Sequence, residues 1–231
     1  MTRFPLRSSV RRLVVLGLLA ILVAGCVSRQ TSTILSTVGE SAPLAPAAPG
    51  ASAGSGSCPT SPPPPLAAGT TANVTLATPK GSIVIKVDGA LGPNAAGNFV
   101  ALVRCGFYDG VVFHRLVPGF VIQGGDGQFG RAPNIDARVG QGGPGYEFAD
   151  DPVSTAITRG VVAMANSGPD TNGSQFFIVL GDIRLDPNYS VFGTVTTGME
   201  VVDAIAAMPN GGGRDNRALE PVPITKASVE P

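Results

Sequence analysis

One tract of low complexity decides how much of this chain can fold. From Gly39 to Gly69, 26 of 31 residues are Gly, Pro, Ala or Ser, and Glu40 is the only charged residue. Such a segment cannot bury enough apolar surface to offset the conformational entropy that ordering would cost. The sequence therefore predicts a single folded domain over residues 71–231 rather than a fold that involves the whole chain.

The N-terminus has the pattern of an export signal. Four arginines within the first twelve residues precede an apolar run of eleven residues, 13–23. That run has the size of a signal-peptide core, whereas a bilayer-spanning helix needs roughly 20 residues. We therefore predict a signal peptide over residues 1–25. An uncleaved anchor and export by the twin-arginine route, through Arg11-Arg12, stay open as alternatives.

The apolar run ends in Val23-Ala-Gly-Cys26, which resembles the lipobox of bacterial lipoproteins. In that family the cysteine is diacylated and becomes the first mature residue, and two or more acyl chains anchor a protein stably. The resemblance implies a bacterial envelope protein that is lipid-anchored through Cys26 to the outer face of the cytoplasmic membrane or to an equivalent extracytoplasmic membrane. An ordinary secretory signal with an incidental cysteine is the alternative.

Residues 26–70 are predicted to be the lipidated cysteine and a flexible tether. A coil of about 45 residues has a root-mean-square length on the order of 40 Å, which would hold a domain near a membrane without fixing its orientation. Pro62–Pro65 predicts a short polyproline II stretch within this tether. That stretch could instead dock onto a partner or visit the substrate site of its own domain.

The segment after the tether alternates short β-rich runs with two helical patterns. The runs 73–77 and 81–87 predict a hairpin around Pro79-Lys80-Gly81. The pattern over 93–105 predicts a helix that Gly106 ends, and the capping-box spacing of Thr197-Gly-Met-Glu200 predicts the start of a second helix. Further strand candidates are 111–116, 119–123, 160–164, 175–180, 191–195 and 223–229. Many short strands with two separated helices favour a covered antiparallel barrel, and the Gly-rich residues 124–159 predict a long ordered surface loop.

Composition excludes several kinds of site. His114 is the only histidine, which excludes a multi-His zinc site and any Ser-His-Asp triad without His114. From Cys26 onward the chain carries 12 basic and 16 acidic residues, a formal charge of −4, so no nucleic-acid partner is expected. The sequence predicts neither a metal nor another cofactor.

Three motifs in the folded part carry a family resemblance. Residues 113–126 read FHRLVPGFVIQGGD, residues 164–177 read MANSGPDTNGSQFF, and residues 191–195 read VFGTV. In this order and at these spacings they resemble the signatures of the cyclophilins, the peptidyl-prolyl cis–trans isomerases, over roughly residues 72–229. The resemblance implies a mainly β fold, a closed eight-stranded antiparallel β-barrel capped by two α-helices.

The implied activity is rotation about X-Pro peptide bonds of exported or envelope proteins. The barrier to this rotation is about 18–20 kcal/mol because the C–N bond has double-bond character. No covalent bond forms, so the reaction needs no nucleophile and no base, and we interpret His114 as a structural, hydrogen-bonding residue. In the twisted state the prolyl nitrogen regains its lone pair, so a fixed donor aimed at it acts more strongly on the transition state.

The resemblance assigns individual residues to this chemistry. Arg115, whose guanidinium is permanently charged and offers several donors, is implied to be the principal catalytic group, together with Phe120 and Gln123. Gln123 and Asn166 would hold the substrate backbone, and Gln175 would orient Arg115 and touch the substrate. The other residues implied to bind substrate are Val121, Ala165, Phe177, Leu185 and Tyr189. Without the motifs, Phe120 and Phe177 would be interpreted as barrel core.

Three positions depart from the family pattern. Val121 stands where Met is common, Tyr189 where His is common, and Arg184 where the family's Trp lies. That Trp matters most for cyclosporin binding, so we expect weak cyclosporin binding with retained isomerase activity. An inhibition constant as low as that of Trp-containing members would contradict this expectation.

The remaining cysteines form a candidate pair. If Cys26 is lipidated, Cys58 and Cys105 are left in an oxidising compartment. A disulfide between them would pin the end of the tether to the first helix, and two free thiols are the alternative.

Three classes of function stay open from the sequence. The first is an active isomerase of proline-containing segments, the second a catalytically weak proline-binding module or chaperone of the same fold, and the third an unrelated tethered ligand-binding barrel. The intact Arg115, Phe120 and Gln123 favour the first class. The tether favours a monomer.

Overall fold

The structure is a computed structural model that describes residues 57–153, 155–183 and 188–230. Within these residues the chain forms nine β-strands and two α-helices. The strands are β1 (Thr71–Thr78), β2 (Gly81–Asp88), β3 (Val112–Val117), β4 (Val121–Gly124), β5 (Val161–Met164), β6 (Phe176–Val179), β7 (Val191–Thr197), β8 (Arg217–Pro223) and β9 (Lys226–Val229). The helices are α1 (Pro93–Arg104) and α2 (Met199–Ala206). In this described part, neither helix combines the length and the apolarity needed to cross a membrane.

All nine strands belong to one antiparallel sheet in the order β8-β3-β4-β6-β5-β7-β2-β1-β9. The two end strands are separated in the chain only by Ile224 and Thr225. The N–H of Ile224 donates to the carbonyl of Val111, just before β3, and the N–H of Thr225 donates to the carbonyl of Ala77 in β1. The chain itself therefore joins the two ends of the curled sheet. Counted as one bent strand, β8 and β9 give the eight strands, and the predicted mainly β fold with two helices is confirmed.

Side chains alternate between two apolar clusters on opposite sides of the sheet. On β6, Phe176 and Ile178 lie in the barrel core, whereas Phe177 and Val179 lie in a second, outer cluster. This alternation follows from the two-residue period of a strand. In the core, Phe99 of α1 packs edge-on against Phe176 with ring centroids 5.4 Å apart. One face of the sheet thus packs in the core, and the other face is available for a site.

The first helix ends as the sequence predicts. Gly106 has a φ of +76°, its N–H donates to the carbonyl of Val103 at 3.0 Å, and the N–H of Phe107 donates to Leu102 at 2.9 Å. These two bonds form a Schellman motif, which requires a left-handed residue at this position and so favours glycine.

The capping box predicted for the second helix is wrong. Thr197 is the last residue of β7 and pairs with Val84, and the N-cap residue of α2 is Gly198, which makes no side-chain capping bond. Gly198 has a φ of +90°, and a Cβ there would collide with the carbonyl of Ser82. A tight reversal between strand and helix therefore takes the place of a side-chain cap. The predicted long loop agrees with the structure, since the described residues between β4 and β5 form neither helix nor strand.

A strap, residues 58–67, lies along α1 and runs antiparallel to it. Cys58 is bonded to Cys105, just beyond the end of α1, with their Cα atoms 5.1 Å apart. At the other end of the helix, the N–H of Leu66 donates to the carbonyl of Pro93 at 2.9 Å. Contacts with the domain therefore begin before residue 71, within the segment predicted as tether.

The strap approaches α1 closely because of one glycine. Gly97 is buried in the middle of the helix, and a Cβ there would collide with the carbonyl of Pro64 and lie 2.8 Å from the nitrogen of Leu66. Glycine in a helix interior costs about 1 kcal/mol relative to alanine, so this position is occupied at the expense of helix propensity.

We predict that the effect of Gly97→Ala on stability changes sign with the strap. In a chain that contains the strap the substitution should lower the free energy of unfolding by about 1–3 kcal/mol, because the methyl group displaces the strap. In a chain shortened to begin at Gly69 it should raise that free energy by up to about 1 kcal/mol, because only helix propensity remains. Denaturant titrations of the four proteins measure both effects. The same sign in both backgrounds would show that the strap does not depend on Gly97.

Candidate active site

A β-bulge in β3 aims Arg115 at the outer face of the sheet. Phe113 pairs with Gly124 and Arg115 pairs with Gln123, so His114 is an extra residue on β3. In a regular strand Phe113 and Arg115 would point to the same side. The bulge shifts this alternation, and a bulge commonly re-aims a side chain in this way. Phe113 and Leu116 can therefore both enter the barrel core while Arg115 leaves it.

Cross-strand pairing assembles the site on that outer face. Arg115 pairs with Gln123, Gln123 pairs with Phe177, and Phe177 pairs with Ala163, across β3, β4, β6 and β5. A cavity of about 140 Å³ opens over this row. Its lining residues are Arg115, Phe120, Val121, Gln123, Ala165, Asn166, Phe177 and Tyr189. The structure thus brings together eight of the ten residues predicted to contact substrate.

Two further predicted residues are not among those that line this cavity in the described part of the chain. Leu185, like Arg184, is outside the described residues. Gln175 lines an adjoining open cavity of about 380 Å³, whose lining includes Gly143 and Tyr146 of the long loop. The second cavity is more polar than the first and opens beside Gln123 and Asn166, which line both.

A series of side-chain amides connects Arg115 to Gln175. The Nη1 of Arg115 donates to the Oε1 of Gln123 at 3.2 Å, and the Nε2 of Gln123 donates to the Oε1 of Gln175 at 3.0 Å. Gln175, which was predicted to orient Arg115, therefore reaches it through Gln123. Among the described residues, Arg115 is the only charged group that lines the smaller cavity.

The apolar part of the site is the outer cluster, not the barrel core. Phe120 and Phe177 both belong to this cluster, together with Val121. The ring of Tyr189 packs edge-on against Phe177 with centroids 5.5 Å apart. The Nδ2 of Asn166 donates to the carbonyl of Asn188 at 2.6 Å, which ties the two sides of the cavity together. The cavity is several times the ~30 Å³ that one water molecule occupies, so it can admit a ring of five atoms.

His114 lies behind this face and does not reach the cavity. It is 4% exposed, and neither ring nitrogen meets a hydrogen-bond partner among the described residues. His114 therefore has the buried, structural position that was expected of it. Burial lowers the pKa of His114 from 6.5 to about 4, and the carboxylate of Asp126 opposes this shift. The ring is neutral at physiological pH.

Comparison with known proteins shows to which family this chain belongs. The model described as "Cyclophilin type peptidyl-prolyl cis-trans isomerase/CLD" matches residues 73–229. This chain belongs to the cyclophilin family. Peptidyl-prolyl cis-trans isomerase-like 1 of Gibberella zeae is 38% identical to it over 162 residues, which cover 69% of this chain and 95% of that protein. Peptidyl-prolyl cis-trans isomerase A of Mycobacterium tuberculosis is 37% identical over 179 residues, covering 69% and 92%.

Solved structures give the same result. A crystal structure of a cyclophilin-type peptidyl-prolyl cis-trans isomerase from Cryptosporidium parvum matches with a TM-score of 0.61 and 28% identity, covering 70% of this chain and 99% of that one. The chain is thus a cyclophilin-type peptidyl-prolyl cis–trans isomerase, as the motifs indicated, and the unrelated ligand-binding barrel is excluded.

Sequence reasoning missed the residues that hold Gln175 in this cyclophilin. The Nε2 of Gln175 donates to the carbonyls of Gly140 and Gly142, at 2.9 Å each, and both glycine N–H groups donate to Asp126. The signal available was that Asp126 closes the first motif, but an acid in a Gly-rich stretch looks like a surface residue. Only the fold brings residue 126 against residues 140–142.

We predict that His114 makes the stability of this cyclophilin depend on pH. His114 binds a proton near pH 6.5 in the unfolded chain but only near pH 4 in the folded chain. Protonation therefore stabilises the unfolded state relative to the folded state as the pH falls. The contribution of neutral His114 to the free energy of unfolding is fully present above pH 6.5. It decreases by about 3 kcal/mol as the pH falls from 6.5 to 4. Unfolding titrations of wild type and His114→Gln at both pH values measure the difference.

A direct readout accompanies that measurement. Because His114 is the only histidine, the imidazole proton resonances belong to one residue. They should keep the shifts of the neutral ring until the pH is well below 6. A midpoint near 6.5 in the folded protein would overturn the burial argument.

Proposed function

We propose that this cyclophilin isomerises X-Pro bonds of exported proteins at a bacterial membrane surface, and that Arg115 lowers the barrier by donating to the twisted prolyl nitrogen. The observation that carries the catalytic part is the position of one guanidinium at the edge of an apolar cavity. The cavity would take the proline ring, and the guanidinium would face the nitrogen of that ring.

The hydrogen bonds of Arg115 support this role. Its guanidinium has five N–H donors, of which one bonds to Gln123 among the described residues. The remaining donors are available to a substrate, while the bond to Gln123 restricts the orientation of the group. A donor fixed in advance stabilises the transition state without reorganising during the reaction.

The shape of the cavity supports the same role. Phe120, Val121 and Phe177 give it an apolar wall, and Gln123 and Asn166 place polar groups beside that wall. A proline ring would fill the apolar part, while the flanking peptide groups would meet the polar part. A related isomerase structure from Cryptosporidium parvum was determined in the presence of the dipeptide Ala-Pro, which agrees with a proline-containing substrate for this fold.

We predict that Arg115→Ala removes most of the isomerase activity and leaves the fold intact. Loss of one preorganised donor of this kind costs about 10²–10³-fold in kcat. NMR exchange spectroscopy on an X-Pro tetrapeptide measures the cis–trans rate with each protein. The fold should survive because Arg115 is only half-buried and lies outside the barrel core.

The control is Arg104→Ala, which removes an exposed arginine from the last turn of α1. Its exchange rate should equal that of the wild type. Exchange that survives in Arg115→Ala would leave the isomerase without this role for Arg115. Peptide binding without exchange in the wild type would favour the proline-binding module.

The envelope part of the proposal depends on both ends of the tether. At one end, Val23-Ala-Gly-Cys26 follows a signal-like apolar run, outside the described residues. At the other end, the structure has a disulfide between Cys58 and Cys105. Disulfides persist in oxidising compartments and are rare in the cytosol, so the bridge supports export of the domain. With the strap held on α1, residues 27–57 remain as the span between lipid and domain.

We predict that Cys26→Ser abolishes lipid attachment in a bacterial host. Acyl chains contribute about 0.8 kcal/mol per buried methylene, so their loss should release the protein from the membrane fraction. Incorporation of labelled palmitate and membrane fractionation measure this. Cys58→Ser is the matched control and should keep both the label and the membrane fraction. Unchanged labelling of Cys26→Ser would rule out the lipobox.

A further inference from the structure

A buried carboxylate that no step of the isomerisation uses lies behind the active site. Asp126 is 0% exposed. Its Oδ1 accepts the N–H groups of Gln128 and Phe129, at 3.0 and 2.8 Å. Its Oδ2 accepts the N–H groups of Gly140 and Gly142, at 2.8 and 3.0 Å. Through these four backbone hydrogen bonds, one side chain holds its own turn, residues 126–129, against residues 140–142 of the same long loop.

The second of these loops faces the active site with its carbonyls. The carbonyls of Gly140 and Gly142 both accept from the Nε2 of Gln175, at 2.9 Å each. The two glycines therefore turn their N–H groups toward Asp126 and their carbonyls toward Gln175. A Cβ on Gly142 would collide with the Oδ1 of Asp126, so this close approach requires glycine.

This arrangement fixes which way each amide of the site points. A primary amide has a donating NH₂ at one end and an accepting oxygen at the other. Because both protons of Gln175 go to the loop carbonyls, its oxygen faces Gln123 and accepts from that residue's Nε2. The oxygen of Gln123 is then left to face Arg115 and accepts from its Nη1. With either amide reversed, a donor would face a donor.

We propose that Asp126 is a positioning residue for Arg115, acting through the 140–142 loop, Gln175 and Gln123 to set the direction of every hydrogen bond between them. This inference rests on the proposed role of Arg115. The carboxylate holds the loop, the loop carbonyls set the amide of Gln175, and the two glutamines in turn present an acceptor to the guanidinium. The carboxylate of Asp126 and the carbonyls of the 140–142 loop therefore determine the orientation of Arg115 on β3.

A second buried carboxylate offers a matched control. Asp151 is 3% exposed, and its two oxygens accept the N–H groups of Asn94 and Ala95 at the start of α1, at 3.0 and 2.8 Å. Like Asp126, it is a buried carboxylate that accepts hydrogen bonds from backbone N–H groups. Its donors belong to α1, however, and not to the loop that holds Gln175. A purely structural role for Asp126 predicts that the two aspartates behave alike.

The test compares Asp126→Asn with Asp151→Asn in the mature chain. Asparagine cannot accept through its NH₂ group, so each variant should lose stability. For Asp126→Asn we expect kcat to fall about tenfold or more with KM changed less than twofold, because the guanidinium loses its aim while the cavity is unaltered. For Asp151→Asn we expect both constants to stay within twofold of the wild type. Steady-state isomerisation of an X-Pro tetrapeptide gives both constants.

A double-mutant cycle separates positioning from general loosening. In a Gln175→Ala background the connection is already broken, so Asp126→Asn should lower kcat by less than twofold further. An equal fall in both backgrounds, or an unchanged kcat for Asp126→Asn alone, would overturn the proposal. If Arg115→Ala retains activity, the proposed role of Arg115 has failed, and the role of Asp126 fails with it. If Arg115→Ala is inactive and Asp126→Asn is fully active, only the role of Asp126 has failed.

A second variant keeps the test open should Asp126→Asn fail to fold. Gly142→Ala leaves Asp126 in place but pushes the 140–142 loop away from it, through the collision of the new methyl group with Oδ1. The same fall in kcat is expected. A folded Gly142→Ala protein with unchanged kcat would contradict the proposal as directly.

Discussion

The architecture of the site depends on the single extra residue in β3. With His114 in the bulge, Phe113 and Leu116 both fill the core, and Arg115 between them turns to the outer face beside Gln123. Without the bulge, a regular two-residue period would put Arg115 on the same side as Phe113, in the barrel interior. A guanidinium cannot be buried there unpaired, since the desolvation cost would be several kcal/mol. The bulge therefore lets one strand place Phe113 and Leu116 in the core and Arg115 in the site.

Closure of the sheet makes an outer-face site possible. Because the chain bends at Ile224 and Thr225, its last strands bond to both β3 and β1, and the interior needs no further covering beyond the helices. The outward side chains of β4 and β6 are then free to form a second apolar cluster with Phe120. A cluster outside the core can keep an open cavity, whereas a cavity of this size within the core would cost stability.

The sequence was most informative where a repeated local pattern determines structure. Short β-rich and apolar runs identified the strands other than β8, and Gly106 correctly marked the end of α1. The motifs located the eight residues that line the cavity, although alternation alone would have placed Phe120 and Phe177 in the core. The candidate pair Cys58 and Cys105 indicated where the strap is attached, but its close contact with α1 at Gly97 was not predictable because its composition is that of a tether. The role of Asp126 was not predictable because two of its four donors, Gly140 and Gly142, lie 14 and 16 residues further along the chain.

Catalysis without covalent chemistry explains why so much of this site consists of fixed hydrogen bonds. The only quantity that the protein controls is where donors lie when the prolyl nitrogen becomes an acceptor. Amides anchored to backbone groups lose little freedom during the reaction, because folding has already ordered them. Val121 and Tyr189, which depart from the family pattern, line the cavity but make no side-chain bond in the series from Arg115 to Gln175. Such positions can change the shape presented to a substrate while the aim of the guanidinium stays the same.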